Sequence, residues 1–292
     1  MSTSLLEKGE ASPVLEDGVI DVYGSLLRLD PGDSLFLGSH DYEPYESKLL
    51  IGLLRPGDVA VDVGAMIGYY TVIFAKHVQA QGRVYAFEPD PENFALLESN
   101  VAMNGYGHVR CHNALVGAVA GRGGLWRSHA NRGDHHAFPG VGPGVGDGNG
   151  RESIQVDVVR LDDVVTEPVD LVKIDVQGYE PFVLAGMRGV IERSDELAML
   201  VEFCPALLIQ AGTDPAAFLG DLRALGFSLY EIDDEAGVVR GVDLPELIAR
   251  VRPEFGDSSE GYTNLLCARG VRGSPPAGRG VRGSPPAAKV RR

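Results

Sequence analysis

The stretch VAVDVGAMIGYYTVIF, residues 59–74, decides how the whole chain is read. Val59 to Val63 form a mostly apolar run, too short for a helix and ended by Gly64, so they read as a buried strand. A helix opens near Tyr69, and Gly64 and Gly68 bracket the turn between the two elements. Gly64 is expected to let the backbone pass close to a ligand, and Gly68 to permit tight packing of helix on strand. The helix N-terminus is expected to offer unpaired amides to an anionic group. Strand, glycine turn and helix in this order mark a nucleotide-cofactor turn in an open α/β sheet. The dinucleotide spacing Gly-x-Gly-x-x-Gly is missing, since Ala65 and Met66 follow Gly64, which argues against pyrophosphate.

Two carboxylates flank this turn. Asp62, just before it, is placed to accept a charge-assisted hydrogen bond from a cationic amino group such as that of a methionine moiety; its structural alternative is to order the loop. Glu88 ends the next apolar run, 20 residues after Gly68, where a carboxylate can accept from both ribose hydroxyls. Asn113 and Ala114, at the end of the third run, are candidates to meet an adenine edge.

The wider pattern alternates strand-like runs with helix-like segments, as in a parallel, doubly wound α/β sheet covered on both faces. The runs are Val59 to Val63, Val84 to Glu88, Val109 to Val116, Leu171 to Val176, Leu197 to Phe203, Phe227 to Ile232 and Thr263 to Ala268. Asp90 caps a predicted helix that starts at Pro91, carries Phe94, Leu97 and Val101 at helical spacing and stops near Asn104-Gly105. Pro215 to Leu225 reads as another helix, stopped by Gly226, and none is assigned between there and the last strand. Arg127 to Arg151 is rich in glycine and reads as a loop suited to substrate control, with extra strands expected at Gly124 to Arg127 and Ser153 to Val159.

The ends differ in character. Residues 1–50 are expected to form an N-terminal extension and cap, 51–269 the folded domain, and 270–292 a disordered basic tail. That tail contains two copies of RGVRGSPPA, at Arg269 to Ala277 and Arg279 to Ala287, a composition that cannot build a core. Seven Arg or Lys and no acid lie in the last 25 residues; removing them from the net charge of −15 leaves the body at −22. So acidic a surface repels phosphate backbones, which disfavours nucleic acid and favours neutral or cationic small molecules and glycans. The acidic start is wrong for a signal peptide and no run has the ~18 apolar residues of a membrane span, so a cytoplasmic setting is expected. Cys111, Cys204 and Cys267 lack metal-site spacing and read as buried thiols.

A second group of carboxylates suggests chemistry. Asp175 lies at the carboxyl end of a central apolar run, where open α/β sheets bind ligands, and is the candidate general base; helix capping is its structural alternative. Glu180 and Glu202 are expected to share the same acidic mouth, where like charge raises one pKa. The three carboxylates also suit a hard cation, although their spacing diagnoses none and no metal is assigned. His135 is a second catalytic candidate, ahead of His129 and His136 in the same glycine-rich region.

Several separated blocks together resemble the FkbM family of methyltransferases: PGDVAVDVGAMIGYYT from Pro56, YAFEPDPENFALLESNVAMNG from Tyr85, VDLVKIDVQGYEPFVLAGM from Val169 and VEFCP from Val201. YEPYESKLL from Tyr42 and NRGDHH from Asn131 are also similar. The resemblance spans roughly Ser39 to Cys267 and implies a class I, Rossmann-like methyltransferase sheet, mostly parallel, with the antiparallel last strand inserted beside its predecessor. It implies S-adenosylmethionine as cofactor, held by Asp62, Gly64, Ala65, Gly68, Glu88, Asn113 and Ala114. It further implies O-methylation of a sugar, glycolipid or secondary-metabolite hydroxyl. Met66 departs from the family, which usually has Asn there. A nicotinamide-dependent oxidoreductase and a non-catalytic cofactor-binding scaffold are the competing readings; acceptor identity and oligomeric state are not legible.

Because the repeated Arg-Gly-Ser-Pro segment has no apolar face to bury, a chain ending at Arg269 should keep the melting temperature of the full chain. A large drop on truncation would show that the tail docks on the body.

Overall fold

The computed structural model describes residues 18–32, 37–38, 42–128, 131–138, 151–234, 236–250 and 261–270. His129 and nearly all of the expected C-terminal tail lie outside these residues. The chain begins with strands β1 (Val19–Val22) and β2 (Ser25–Arg28) and helix α1 (Pro44–Leu53), followed by β3 (Val59–Val63), α2 (Tyr69–Val78), β4 (Arg83–Phe87), α3 (Pro91–Met103) and β5 (Val109–His112). Then come β6 (Leu115–Val116), β7 (Gly121–Arg127), β8 (Glu152–Val159), α4 (Leu161–Val164), β9 (Leu171–Ile174), α5 (Glu180–Ala185), α6 (Arg188–Arg193) and β10 (Leu197–Phe203). The last elements are α7 (Pro205–Gln210), α8 (Pro215–Ala224), β11 (Ser228–Asp233), β12 (Val238–Gly241), α9 (Leu244–Arg250) and β13 (Thr263–Arg269).

Eight strands form the main sheet in the order β12-β11-β13-β10-β9-β3-β4-β5. The five strands from β10 to β5 run parallel, and β13 enters antiparallel between β10 and β11. This is the doubly wound class I arrangement. The chain moves outward from β3 to β5 and returns to β9, so the order reverses between β3 and β9 and opens a crevice at their carboxyl ends. Their register pairs Asp62 with Lys173, which places two charged side chains side by side on one face.

Each face has its own core. On one side Leu161, Val183, Met187, Leu208 and Phe218 from the later helices cover Val61, Val172 and Val201. On the other, Leu27 and Leu50 join Val72, Ile73 and Phe74 of α2. Asp90 caps α3 by accepting from the amides of Glu92 and Asn93, as its place before Pro91 predicts. No helix among the described residues is long and apolar enough to cross a membrane.

Three expectations need correction. The run Val109 to Val116 is two strands, because Asn113 turns the chain by donating to the carbonyls of Glu88 and Pro89; β6 then joins β8 and β7 in a separate sheet. A short helix, α9, does precede the last strand; its seven residues carry too little periodicity to be seen. The boundary at residue 50 falls inside α1. The described N-terminal residues are built into the body: Asn100 exchanges hydrogen bonds with the Arg28 backbone at 2.7 and 3.1 Å, and Leu27 and Leu50 are fully buried.

Truncating Leu50 to Ala should therefore cost about 2–5 kcal/mol, read as a lower urea midpoint with an unchanged slope. An unchanged midpoint would place α1 outside the cooperative unit.

Candidate active site

The crevice above β3, β9 and β10 holds a cavity of about 230 Å³. Asp62 and Lys173 form its floor, Asp175 and Gln177 its rim after β9, and Glu202 the adjoining strand end. Tyr42 and Glu43, which precede α1, and Tyr262 and Asn264, at the start of β13, close the opposite side. A smaller cavity of about 50 Å³ lies beside it, lined by Glu88, Pro89, Leu115, Leu125 and His135 among others. Gly64, Met66, Gly133, Asp175 and Gln177 border both.

Asp62, in β3, accepts at its Oδ2 from the hydroxyl of Thr71 in the first turn of α2 at 2.6 Å. Its Oδ1 is buried and has no hydrogen-bond partner. Burial pushes this carboxyl up, against the opposing pull of Lys173 and Thr71. Asp62 lines the cavity, and its unmatched oxygen calls for a donor.

The glycine turn differs from expectation. The amides of Gly64 and Ala65 donate to the Phe87 carbonyl, both at 3.0 Å, and that of Met66 to Glu88 Oε2 at 2.8 Å. These three amides are spent on the neighbouring strand end and are not free for an anion. Gly64, at φ +83°, is needed chiefly because a Cβ there would collide with the Asp175 carbonyl oxygen. At Gly68, φ +98°, a Cβ would come within 2.8 Å of Leu97 on α3, so this glycine serves helix-helix rather than helix-strand packing. Met66 holds a left-handed φ of +50°, a conformation that Asn, the usual family residue, adopts more readily. Ala65 lines the larger cavity.

Glu88 is 5% exposed and accepts from the amides of Met66 and Asp90. Burial outweighs both hydrogen bonds and pushes its carboxyl to about 8. Asn113 spends its amide on the backbone of the Glu88-Pro89 corner. Neither it nor the buried Ala114 borders either cavity.

The acidic mouth is divided. Asp175 pairs with Lys173 Nζ at 2.9 Å, and Gln177 Nε2 donates to Asp175 at 3.1 Å and to Glu202 at 3.3 Å. Asp175 does not cap α5, whose N-cap is Tyr179 with no side-chain cap. Glu202 is pushed well above the usual carboxylate range by burial and then by the charges of Asp175 and Glu180. Glu180 is 1% exposed, borders neither cavity and turns beneath the chain to accept from the Val176 and Gly178 amides. Its expected place in the mouth is thus corrected, because the backbone of the turn claims its carboxylate. Among the described residues no group of three or more His, Cys, Asp or Glu side chains is arranged to hold a metal.

His135 borders the smaller cavity, where its Nδ1 accepts from the Ser128 amide at 3.1 Å and its Nε2 lies 3.8 Å from Asp90. Burial lowers its pKa to about 4, so the ring is neutral with its one lone pair occupied. That geometry corrects the expectation of a base at this position. His136 is likewise tied to Asp134 at 2.8 Å.

Sequence reading missed Tyr42, Glu43, Lys173, Gln177 and Tyr262 as cavity residues. Tyr42, Glu43, Lys173 and Gln177 lie in blocks that resemble the family, and Lys173 also stands out as a cation within the apolar run Leu171 to Val176.

The sequence profile described as the methyltransferase FkbM domain matches residues 62–229. Over 170 residues the chain is 32% identical to the 31-O-demethyl-FK506 methyltransferase FkbM of Streptomyces tacrolimicus; the match covers 46% of this chain and 61% of that protein. Among solved structures it is similar to the methyltransferase FkbM from Methylobacillus flagellatus KT, with TM-score 0.43 and 18% identity, over 74% of this chain and 45% of that one. It is also similar to a SAM-dependent O-methyltransferase from Thermotoga maritima, with TM-score 0.41 and 17% identity, over 91% and 80% of the two chains.

The raised Glu88 carboxyl has a consequence for stability. The folded state holds this proton more tightly than the unfolded chain, so the ligand-free protein should lose stability as pH rises from about 4.5 toward 8. Glu88→Gln, which cannot ionise, should flatten that decline in melting temperature. An unaltered slope would show that the carboxyl titrates normally.

Proposed function

The chain belongs to the FkbM methyltransferase family, and from that premise we propose that it uses S-adenosylmethionine to methylate a hydroxyl oxygen of a sugar, glycolipid or secondary metabolite. The observation that carries this reading is Asp62, which lines the larger cavity and keeps one buried carboxylate oxygen without a partner, an arrangement that suits the ammonium group of a methionine moiety. Glu88 borders the adjoining cavity, where the spare lone pairs of its carboxylate suit a ribose diol. Pro89, Leu115 and Leu125 there offer an apolar seat for a base. The shared border of the two cavities supports a single ligand lying across both, with the acceptor in the wider part.

When bound, the cofactor supplies a methyl group activated by its sulfonium. The protein's task is to orient the acceptor oxygen behind that methyl group, which is worth up to about 7–11 kcal/mol. Asp175 takes the hydroxyl proton, and Lys173 and Gln177, each bonded to one of its oxygens, hold the carboxylate in place while a lone pair on each oxygen stays open to the acceptor. Tyr42, Glu43 and Tyr262 lie outside the matched profile and wall the acceptor end, so they set the choice of acceptor.

Titration calorimetry with S-adenosylmethionine and with nicotinamide dinucleotides tests the cofactor assignment. Methyl-labelled cofactor incubated with extracts of the producing cell, followed by mass spectrometry, identifies the acceptor. Asp175→Asn should bind the cofactor within a few-fold of the parent but turn over about 10² to 10⁴ more slowly. Turnover within about three-fold of the parent would reject Asp175 as the base.

A further inference from the structure

Building on the assignment of this site to methyl transfer, we propose that the acceptor carries a protonated amine, seated between Glu43 and Glu202 while its hydroxyl meets Asp175. Five carboxylates line the larger cavity, those of Glu43, Asp62, Asp134, Asp175 and Glu202, and Lys173 is the one basic side chain among its described lining residues. That lysine is committed to Asp175 at 2.9 Å, and Asp134 is met from outside the cavity by Arg151 and His136. A bound cofactor brings one net positive charge, because its sulfonium and ammonium outweigh its single carboxylate, and the unpartnered Asp62 Oδ1 receives the ammonium.

Glu43 and Glu202 are then left with neutral hydrogen-bond partners, and Lys173 acts on both only through space. Glu43 accepts from the Tyr70 hydroxyl at 2.6 Å and Glu202 from the Gln177 amide at 3.3 Å. Both are half-buried side chains lining the cavity. Burial first, and neighbouring carboxylates next for Glu202, push both carboxyls above their ordinary range, the sign of a site short of positive charge. Tyr42 and Tyr262 line the same cavity as Glu43 and Glu202 and set two aromatic rings beside them. A cation at this end relieves the desolvated carboxylates and finds aromatic rings beside it. Because one Gln177 amide bonds both Asp175 and Glu202, the amine and the reacting hydroxyl lie close together, as in an amino alcohol or amino sugar.

The full chain saturated with S-adenosylhomocysteine is titrated calorimetrically with two matched pairs: methyl glucosaminide against methyl N-acetylglucosaminide, and trans-2-aminocyclohexanol against its N-acetyl derivative. Each amine should bind at least about ten-fold tighter than its amide, and Glu43→Gln and Glu202→Gln should each erase most of that difference. Retained S-adenosylhomocysteine affinity reports that the variants are folded. Equal affinity for amine and amide, binding of the amides alone or no binding of any probe overturns the proposal, and the two acids then act as neutral donors to an uncharged acceptor. Failure of S-adenosylhomocysteine itself to bind would instead sink the methyl-transfer reading and this proposal with it.

Discussion

A lysine side chain with 6% of its surface exposed sits at the reversal point of the sheet, and the site is arranged around keeping it charged. Burial alone would lower the Lys173 pKa, but the carboxylates of Asp175, Asp62 and Glu43 hold it raised. They come from β9's own end, from the neighbouring strand by register and from the segment before α1. Removing one partner from such a group typically costs about 3–5 kcal/mol, because the remaining charge stays buried. The same lysine lies 4.8 Å from the centre of the Tyr70 ring, whose hydroxyl bonds Glu43. One ammonium group thus ties two strands, α2 and the N-terminal segment to a common point.

Much of this fold was legible because its signals are local. Val59–Val63 and Leu197–Phe203 end where their apolar runs end, and Asp90 caps α3 where Pro91 says a helix can begin. What was hidden depends on register and closure between distant segments. Lys173 reads as an interruption of an apolar run until its strand is set beside Asp62, and Glu43 reaches the cavity only because α1 packs on α2. Nothing in residues 59–74 reveals that the end of β4 takes up the amides of Gly64, Ala65 and Met66.

The acids illustrate the limit most clearly. Glu88, Asp175 and Glu202 each stand at or next to the end of an apolar run, and Glu180 follows Asp175 closely, so spacing alone does not say which of them opens onto a cavity. In the structure Glu180 turns to backbone amides and reaches neither cavity, Glu88 accepts from backbone amides yet still lines the smaller cavity, and Asp175 and Glu202 meet across the side chain of Gln177. Whether a carboxylate faces backbone or cavity turns on a rotation about one or two bonds, which residue type and spacing do not encode.

The staple between Asp134 and Arg151 gives the glycine-rich stretch between them a fixed pair of anchor points. A second clasp, where Arg127 pairs with Glu152 at the ends of β7 and β8, reinforces them. Gly133, which borders both cavities, lies on the secured side of the staple. With the bridge from Trp126 to His136, the two clasps make the position of Gly133 a property of β7 and β8, so that one wall shared by both cavities is carried by the small sheet and not by the strands that hold the carboxylates.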